Sequence, residues 1–281
     1  MPRPNLLSLI PKPPTITVVD VGAMAIGIDP YQPLINAGIA NIIGFEPVEE
    51  ELAKLQATAN HGRKYLPYAI GDGTNQIFHI NNFPMTSSLL RPNHALTDHF
   101  SGLSELMQVV KSVEMKTHRL DDIPEVSKTD FLKLDIQGAE LQVLQAAKHV
   151  LENTLMVQTE VEFVPLYENQ PLFAEIDQCM RGAGFLLHRL HPLSGRSFKP
   201  IHIHDATGQP LFTQALWTDA IYVKDFRHLE QLGPQRLLKL AILADLLCES
   251  FDLAYKCLAT YDQLMETGLA SAYLDQLSRQ A

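Results

Sequence analysis

Cysteine is scarce in this 281-residue chain: Cys179, Cys248 and Cys257 are all there is, and none stands at metal-binding spacing. So few thiols suit a reduced, cytoplasmic protein. Basic excess is missing too. Acidic residues outnumber Lys and Arg by 32 to 22, and no Lys/Arg stripe stands out. That argues against a nucleic-acid surface and for a small or neutral substrate. No run approaches the ~20 apolar residues of a membrane span. The start, Met1-Pro2-Arg3-Pro4-Asn5, lacks a signal-peptide pattern, because Pro11, Pro13 and Pro14 break the short apolar run. Internal repeats and low-complexity segments are also absent. The length suits one large α/β domain, or a domain with an appendage.

What is present is an acidic residue at the end of each of two successive strands. The run Thr15-Ile16-Thr17-Val18-Val19 ends in Asp20-Val21-Gly22-Ala23, and Asn41-Ile42-Ile43-Gly44-Phe45 ends in Glu46-Pro47. A plausible helix lies between them. A βαβ unit built this way sets a glycine turn and a carboxylate at neighbouring strand ends, where open α/β sheets bind ligands. The turn admits a ligand close to the backbone, and the carboxylate can accept hydrogen bonds from both hydroxyls of a ribose. A nucleoside-containing cofactor is the first inference.

Strand and helix patterns then alternate. Residues 49–59 read as an amphipathic helix, 65–69 as a third strand and 77–80 as a short hairpin-like strand. Residues 81–112 read as a flap with a weak helical pattern around Leu103, Leu106 and Val110. A strand at 131–135 precedes a helix at 139–151, a strand at 155–162 and a helix at 172–181 that stops at Gly182 and Gly184. Strands at 185–190 and 220–224 flank a long polar insertion. This predicts a mostly parallel sheet closed by an antiparallel hairpin. From Gly233 onward Leu237, Leu240, Leu243, Ala244 and Leu247 repeat at helical spacing, giving two or three helices that pack on the main domain or form a homo-oligomer contact.

Taken together, Asp20-Val21-Gly22-Ala23, Gly44-Phe45-Glu46-Pro47, Ala69-Ile70-Gly71-Asp72, Ser87-Ser88-Leu89 and Lys133-Leu134-Asp135-Ile136-Gln137-Gly138-Ala139-Glu140 resemble the FkbM family of S-adenosylmethionine-dependent methyltransferases. The stretch Glu160 to Tyr167 and Gln170-Pro171-Leu172-Phe173 fits as well. The resemblance covers roughly residues 15 to 225. It implies a Rossmann-like class I methyltransferase fold with a seven-stranded sheet over 1–226, followed here by a helical extension over 227–281. It also implies S-adenosylmethionine as cofactor and methyl transfer, most often to a hydroxyl of a sugar, glycan or small metabolite. Two positions depart from the pattern. The first loop, Gly22-Ala23-Met24-Ala25-Ile26-Gly27, is longer than usual and lacks an Asn, and Gln137 stands where the family usually carries Glu.

On this resemblance the cofactor is expected at Asp20, Gly22, Ala23, Glu46, Pro47, Ile70, Asp72 and Asp135. Glu46 takes the ribose, while Asp72 or the neighbouring Ile70 backbone lies by the adenine. Asp135 is the candidate general base or acceptor orienter, with Glu162 as a second catalytic or substrate contact. Lys133 shares a strand face with Asp135, and Glu160 with Glu162. In the family topology these strands are neighbours, so Lys133 is expected to pair with Glu160, leaving Asp135 and Glu162 nearer the mouth. His188, His191, His202, His204 and Asp205 carry metal-ligand types, but in a loop without cysteine or an i,i+4 helical pair, so no metal is expected. Trp217 and Asp219 come just before the last strand. Two rival readings stand beside the methyltransferase. One is a nicotinamide-dependent oxidoreductase, although Gly22 and Gly27 do not make Gly-x-Gly-x-x-Gly. The other is a non-catalytic protein that kept the fold.

Overall fold

The strand that positions everything else, β1 (Ile16–Val21), is buried along nearly its whole length, as an apolar run between two sheet neighbours requires. The computed structural model describes residues 5–25, 27–59, 62–208 and 211–279. Residues 1–4, where the reading of the amino terminus begins, and Ile26 of the first loop lie outside them. Ahead of β1 is a one-turn helix, α1 (Leu6–Leu9), whose Asn5 cap accepts a hydrogen bond from the Ser8 N–H. After it come α2 (Gln32–Asn36), β2 (Ala40–Phe45), α3 (Glu49–Thr58) and β3 (Arg63–Leu66). The chain then leaves the main sheet. β4 (Ala69–Ile70), β5 (Asn75–Asn81) and β6 (Val109–His118) form a separate three-stranded sheet in the order β4–β6–β5, with α4 (His94–Thr97) and α5 (Leu103–Leu106) between β5 and β6.

It returns with β7 (Phe131–Leu134), α6 (Glu140–Ala146), α7 (Lys148–Asn153), β8 (Met156–Glu162), α8 (Phe173–Gly182), β9 (Phe185–Leu190) and β10 (Trp217–Lys224). The main sheet runs β3–β2–β1–β7–β8–β10–β9. Neighbours are parallel except β10, which is antiparallel to both β8 and β9. This is the expected seven-stranded, mostly parallel sheet with its closing hairpin. The tail forms α9 (Pro234–Cys248), α10 (Phe251–Met265) and α11 (Leu269–Ser278).

Two cores sandwich the sheet. On one face α6, α7 and α8 bury Val143, Leu144, Val150, Leu151, Ile176 and Met180 against Val19, Leu132, Val157 and Tyr222. On the other, Leu237, Leu240, Leu243 and Ala244 of α9 and Leu253, Cys257 and Leu258 of α10 share one core with Ile16, Val18, Phe131, Met156, Ile221 and Val223. The helical tail therefore covers this chain's own sheet. Lys239 of α9 anchors it, pairing at 2.7 Å with Asp130, a carboxylate that also accepts the Thr17 N–H at 2.8 Å.

Several local expectations need correction. Residues 65–69 are not one strand: Pro67, which lacks an N–H, separates β3 from β4, and the two belong to different sheets. The flap is not helical to its end, since Val110 lies in β6, paired antiparallel with β5. The helix over 139–151 breaks at Ala147, whose φ −114° and ψ 38° separate α6 from α7. Trp217 and Asp219 lie within β10 rather than ahead of it, opposite Glu162 and Glu160 of β8.

Candidate active site

A cavity of about 390 Å³ opens at the carboxyl ends of β1, β2 and β7, walled on the far side by Phe78 and Ile80 of β5 and by Pro84, Met85, Ser87 and Leu89. This is the switch point where open α/β sheets place ligands. Gly22, just beyond β1, makes the junction possible. Its φ is +84°, and a Cβ there would lie 2.0 Å from the carbonyl oxygen of Asp135. Any side chain would push the exits of β1 and β7 apart.

Asp20 is buried at the end of β1. One oxygen accepts from the Tyr31 hydroxyl at 2.7 Å and the other from Lys133 Nζ at 3.1 Å. The same ammonium lies 3.7 Å from Asp135 Oδ2. Burial alone would discharge Lys133, but Asp20 and then Asp135 outweigh it and raise its pKa above the ordinary lysine value. The expected Lys133–Glu160 pair does not form. In the parallel ladder Lys133 stands opposite Asp20 on one side and Gln158 on the other, two residues short of Glu160.

Glu46 closes β2 and is almost fully buried; its Oε1 accepts the Val48 N–H at 2.7 Å. Burial pushes its pKa up to about 7, the Val48 bond resists, and the Glu51 and Asp20 charges add to the rise. Pro47, Ile70 and Asp135 line the same cavity with Asp20, Gly22 and Glu46. Two expected cofactor residues stand elsewhere. Ala23 turns its side chain into a small core with Leu52, Leu55 and Tyr65. Asp72 is exposed, and its Oδ1 is taken up by the Thr74 N–H at 2.9 Å, the Thr74 hydroxyl at 2.6 Å and Gln76 Nε2 at 2.9 Å. That turn accounts for the carboxylate, whose pKa is lowered chiefly by Thr74.

Glu162 is also displaced from its expected place. The segment 163–172, with buried Tyr167 and Gln170, folds over it, so it is buried and does not line the cavity. Glu160 lines the cavity instead. Glu162 Oε2 and Glu140 Oε2 are buried without a hydrogen-bond partner. Burial, then the Glu140 charge, pushes Glu162 well above the carboxylate range, with Gln170 opposing; burial takes Glu140 to about 7 against the Ile136 N–H bond. Asp219 is raised too, by burial and then by Asp135. Beneath the cavity, then, a firmly charged lysine stands near buried carboxyl groups that favour holding protons.

Gln137 had no expected bonding role, yet it bonds Asp135, Glu160 and Tyr167; its place in the turn before Gly138 and its departure from the family's Glu were the signals. His188 Nε2 is 3.0 Å from Ser250 Oγ at the start of α10, while His202 and His204 line a separate shallow cleft with Arg196. Among the described residues no group of three or more His, Cys, Asp or Glu side chains is placed to hold a metal ion, and no helix is long and apolar enough to cross a membrane.

Residues 20–187 match the family described as Methyltransferase FkbM domain. Over 189 residues the chain is 27% identical to the 2-O-methyltransferase NoeI of Sinorhizobium fredii (strain NBRC 101917 / NGR234), an alignment spanning 62% of this chain and 74% of that protein. Similar solved structures include magnesium protoporphyrin IX methyltransferase (ChlM) from Synechocystis PCC 6803 with bound SAM, at 12% identity and TM-score 0.39 over 78% of this chain and 76% of that one. Another is a SAM dependent methyltransferase from Aquifex aeolicus, at 12% identity and TM-score 0.33 over 77% and 86%. The FkbM match spans more than half of the chain and begins at Asp20, the carboxylate that opens the cavity. The chain belongs to the FkbM methyltransferase family, as an enzyme that uses S-adenosylmethionine.

Proposed function

We propose that the enzyme methylates a hydroxyl of a sugar, glycan or similar small metabolite, with Asp135 as the base that takes the hydroxyl proton. The observation that carries this reading is the setting of Asp135. Its carboxylate is about one-third exposed in the cavity and held by Lys133 on one oxygen and Gln137 on the other. A hydroxyl must lose a proton to accept a methyl group, and a fixed carboxylate at that spot can take it. The similarity to NoeI, a 2-O-methyltransferase, supports an oxygen acceptor.

The residues present fit the cofactor. Gly22 keeps the cradle free of a side chain, and Glu46 offers Oε2 to ribose hydroxyls while Oε1 is tied to Val48. Phe45, Tyr68 and Ile70 give an apolar wall suited to adenine, and Asp20 and Asp135 give anionic character suited to the amino and sulfonium end. When bound, S-adenosylmethionine supplies an electrophilic methyl group on a sulfonium sulfur that leaves as a neutral thioether. Lys133 stands between Asp20 and Asp135 and fixes the position of both, and the wall from β5 to Leu89 limits water around the acceptor. Residues 1–226 are read as the methyltransferase domain and 227–281 as its helical extension.

S-adenosylhomocysteine should bind and raise the melting temperature, by about 2.7 kcal/mol of stability at ~100 times the dissociation constant. Stabilisation by NAD alone would sink the reading. Glu46→Ala should weaken that binding by roughly 1.5–3 kcal/mol, the loss of a charged hydrogen-bond partner. Asp135→Asn should still bind S-adenosylhomocysteine but lose turnover ~10²–10⁴-fold, measured on an acceptor found by screening hydroxylated saccharides against amines.

A further inference from the structure

We propose that Gln137 is a positioning residue that holds Asp135 and Glu160 as a fixed pair at the cavity floor, its single amide nitrogen donating to both; the proposal rests on the reading of Asp135 as the base. Gln137 Nε2 lies 2.6 Å from Glu160 Oε2 and 3.0 Å from Asp135 Oδ1. Its Oε1 accepts from the Tyr167 hydroxyl at 3.0 Å, and its backbone carbonyl accepts from Ser88 Oγ at 2.7 Å. One residue thus joins the ends of β7 and β8, the segment after β8 and the wall opposite.

The backbone points the same way. Gln137 has φ 60°, left-handed and unusual for a residue with a long side chain, and Gly138 follows at φ 99°. A glycine would satisfy the turn alone, so the outlier directs attention to the side chain. Two carboxyl groups this close repel when both are ionised, unless a donor stands between them. An amide gives one N–H to each and neither takes up nor releases a proton itself. The choice of residue therefore matters: the Glu that the family resemblance implies would add a third carboxyl where this chain has two donors.

The surroundings decide which member carries a proton. Lys133 on β7 sits beside Asp135, whereas no ion pair to Glu160 occurs among the described residues. Facing the pair are Glu140 on α6, Glu162 on β8, Asp219 on β10 and the Tyr167 hydroxyl, all acidic or neutral. Burial, then Asp135 and Glu162, pushes Glu160 well above the ordinary range. Glu160 is the proton-holding partner, and the amide keeps Asp135 aimed into the cavity.

The test compares wild type with Gln137→Gly and Gln137→Glu. The glycine variant relaxes the backbone and deletes the amide. It should stay folded and still bind S-adenosylhomocysteine, while turnover falls ~10²-fold with little change in the KM for S-adenosylmethionine. The glutamate variant should shift the acid limb of the pH–rate profile to higher pH. An acceptor-free readout runs alongside: the infrared carbonyl band of a protonated carboxylic acid, assigned to Glu160 by its loss in Glu160→Gln. It should be present at neutral pH in wild type, and its titration should move in Gln137→Gly. Should the glycine variant not fold, Gln137→Asn, which tolerates a left-handed backbone but has a shorter reach, carries the same expectation. Unchanged turnover, pH profile and band titration in the folded variant would overturn the proposal. Normal turnover in Asp135→Asn would instead overturn the base assignment, leaving the infrared measurement to judge the clamp.

Discussion

Glu46 shows how one buried carboxyl couples stability to binding. Its pKa is about 7 in the folded protein against 4.5 when exposed, so the native state holds a proton that the unfolded state has released. Stability from this group is therefore lost as pH rises from about 4.5 to about 7, by up to about 3 kcal/mol. Binding runs the other way, because two ribose hydroxyls need an acceptor, and the ionised form is the better one. The ligand-free protein should thus be more stable near pH ~5 than pH ~8, while S-adenosylhomocysteine affinity rises through that interval. Glu46→Gln should reduce the first slope and flatten the second, which denaturation and calorimetric titration over the same pH range would show. Glu140, also near 7, keeps part of the stability slope in the variant. At this scale the sequence was only partly readable. Asp20, Gly22, Glu46 and Asp135 stand together because strand ends converge. The partner of Lys133 depended on a two-residue offset between parallel strands, which periodicity does not encode. Asp72 and Glu162 were lost to a turn and to an overlying segment, both non-local features.

At the scale of elements, what was legible followed burial. Strands buried on both faces, β1, β7 and β8, stand where they were expected, β1 and β7 as mostly apolar runs and β8 as an apolar start that ends in the polar positions Gln158, Glu160 and Glu162. β6 is mostly solvated, with Lys111, Glu114 and Lys116 along it, so little hydrophobic contrast marked it as a strand. The break at Ala147 has no glycine or proline to announce it. Among the helices of the tail, α11 depends on a cap supplied from α10. Asp262 accepts the N–H groups of Leu269 and Ala270 at 3.0 and 2.8 Å, orphan donors of the first turn. Asp262→Ala should cost about 1 kcal/mol in urea denaturation. It should also raise amide exchange along α11 more than along β1, since α11 lies at the edge of the core. Uniform loss of protection through the sheet would show the cap to be part of the global unfolding unit instead.

For the whole molecule, the tail is as much core as the sheet it covers. Leu240 is fully buried between α9 and the strands, so Leu240→Ala should destabilise by about 2–5 kcal/mol, read from the denaturation midpoint. Truncation before Gly233 should expose Ile16, Val18, Phe131 and Met156 and bring aggregation. A truncated chain that stays monodisperse and equally stable would show that face to need no cover. The cover also comes last in chain order. β1 and β2 are made early, but the helices that bury their face are made after residue 233, and Asn5 meets Gln276 by a 2.8 Å hydrogen bond. At ~5–20 residues per second, the growing chain carries that unprotected surface for on the order of ten to forty seconds. During that interval the nascent polypeptide is a natural client for chaperones, and codons that slow the ribosome between β2 and α9 would lengthen its exposure.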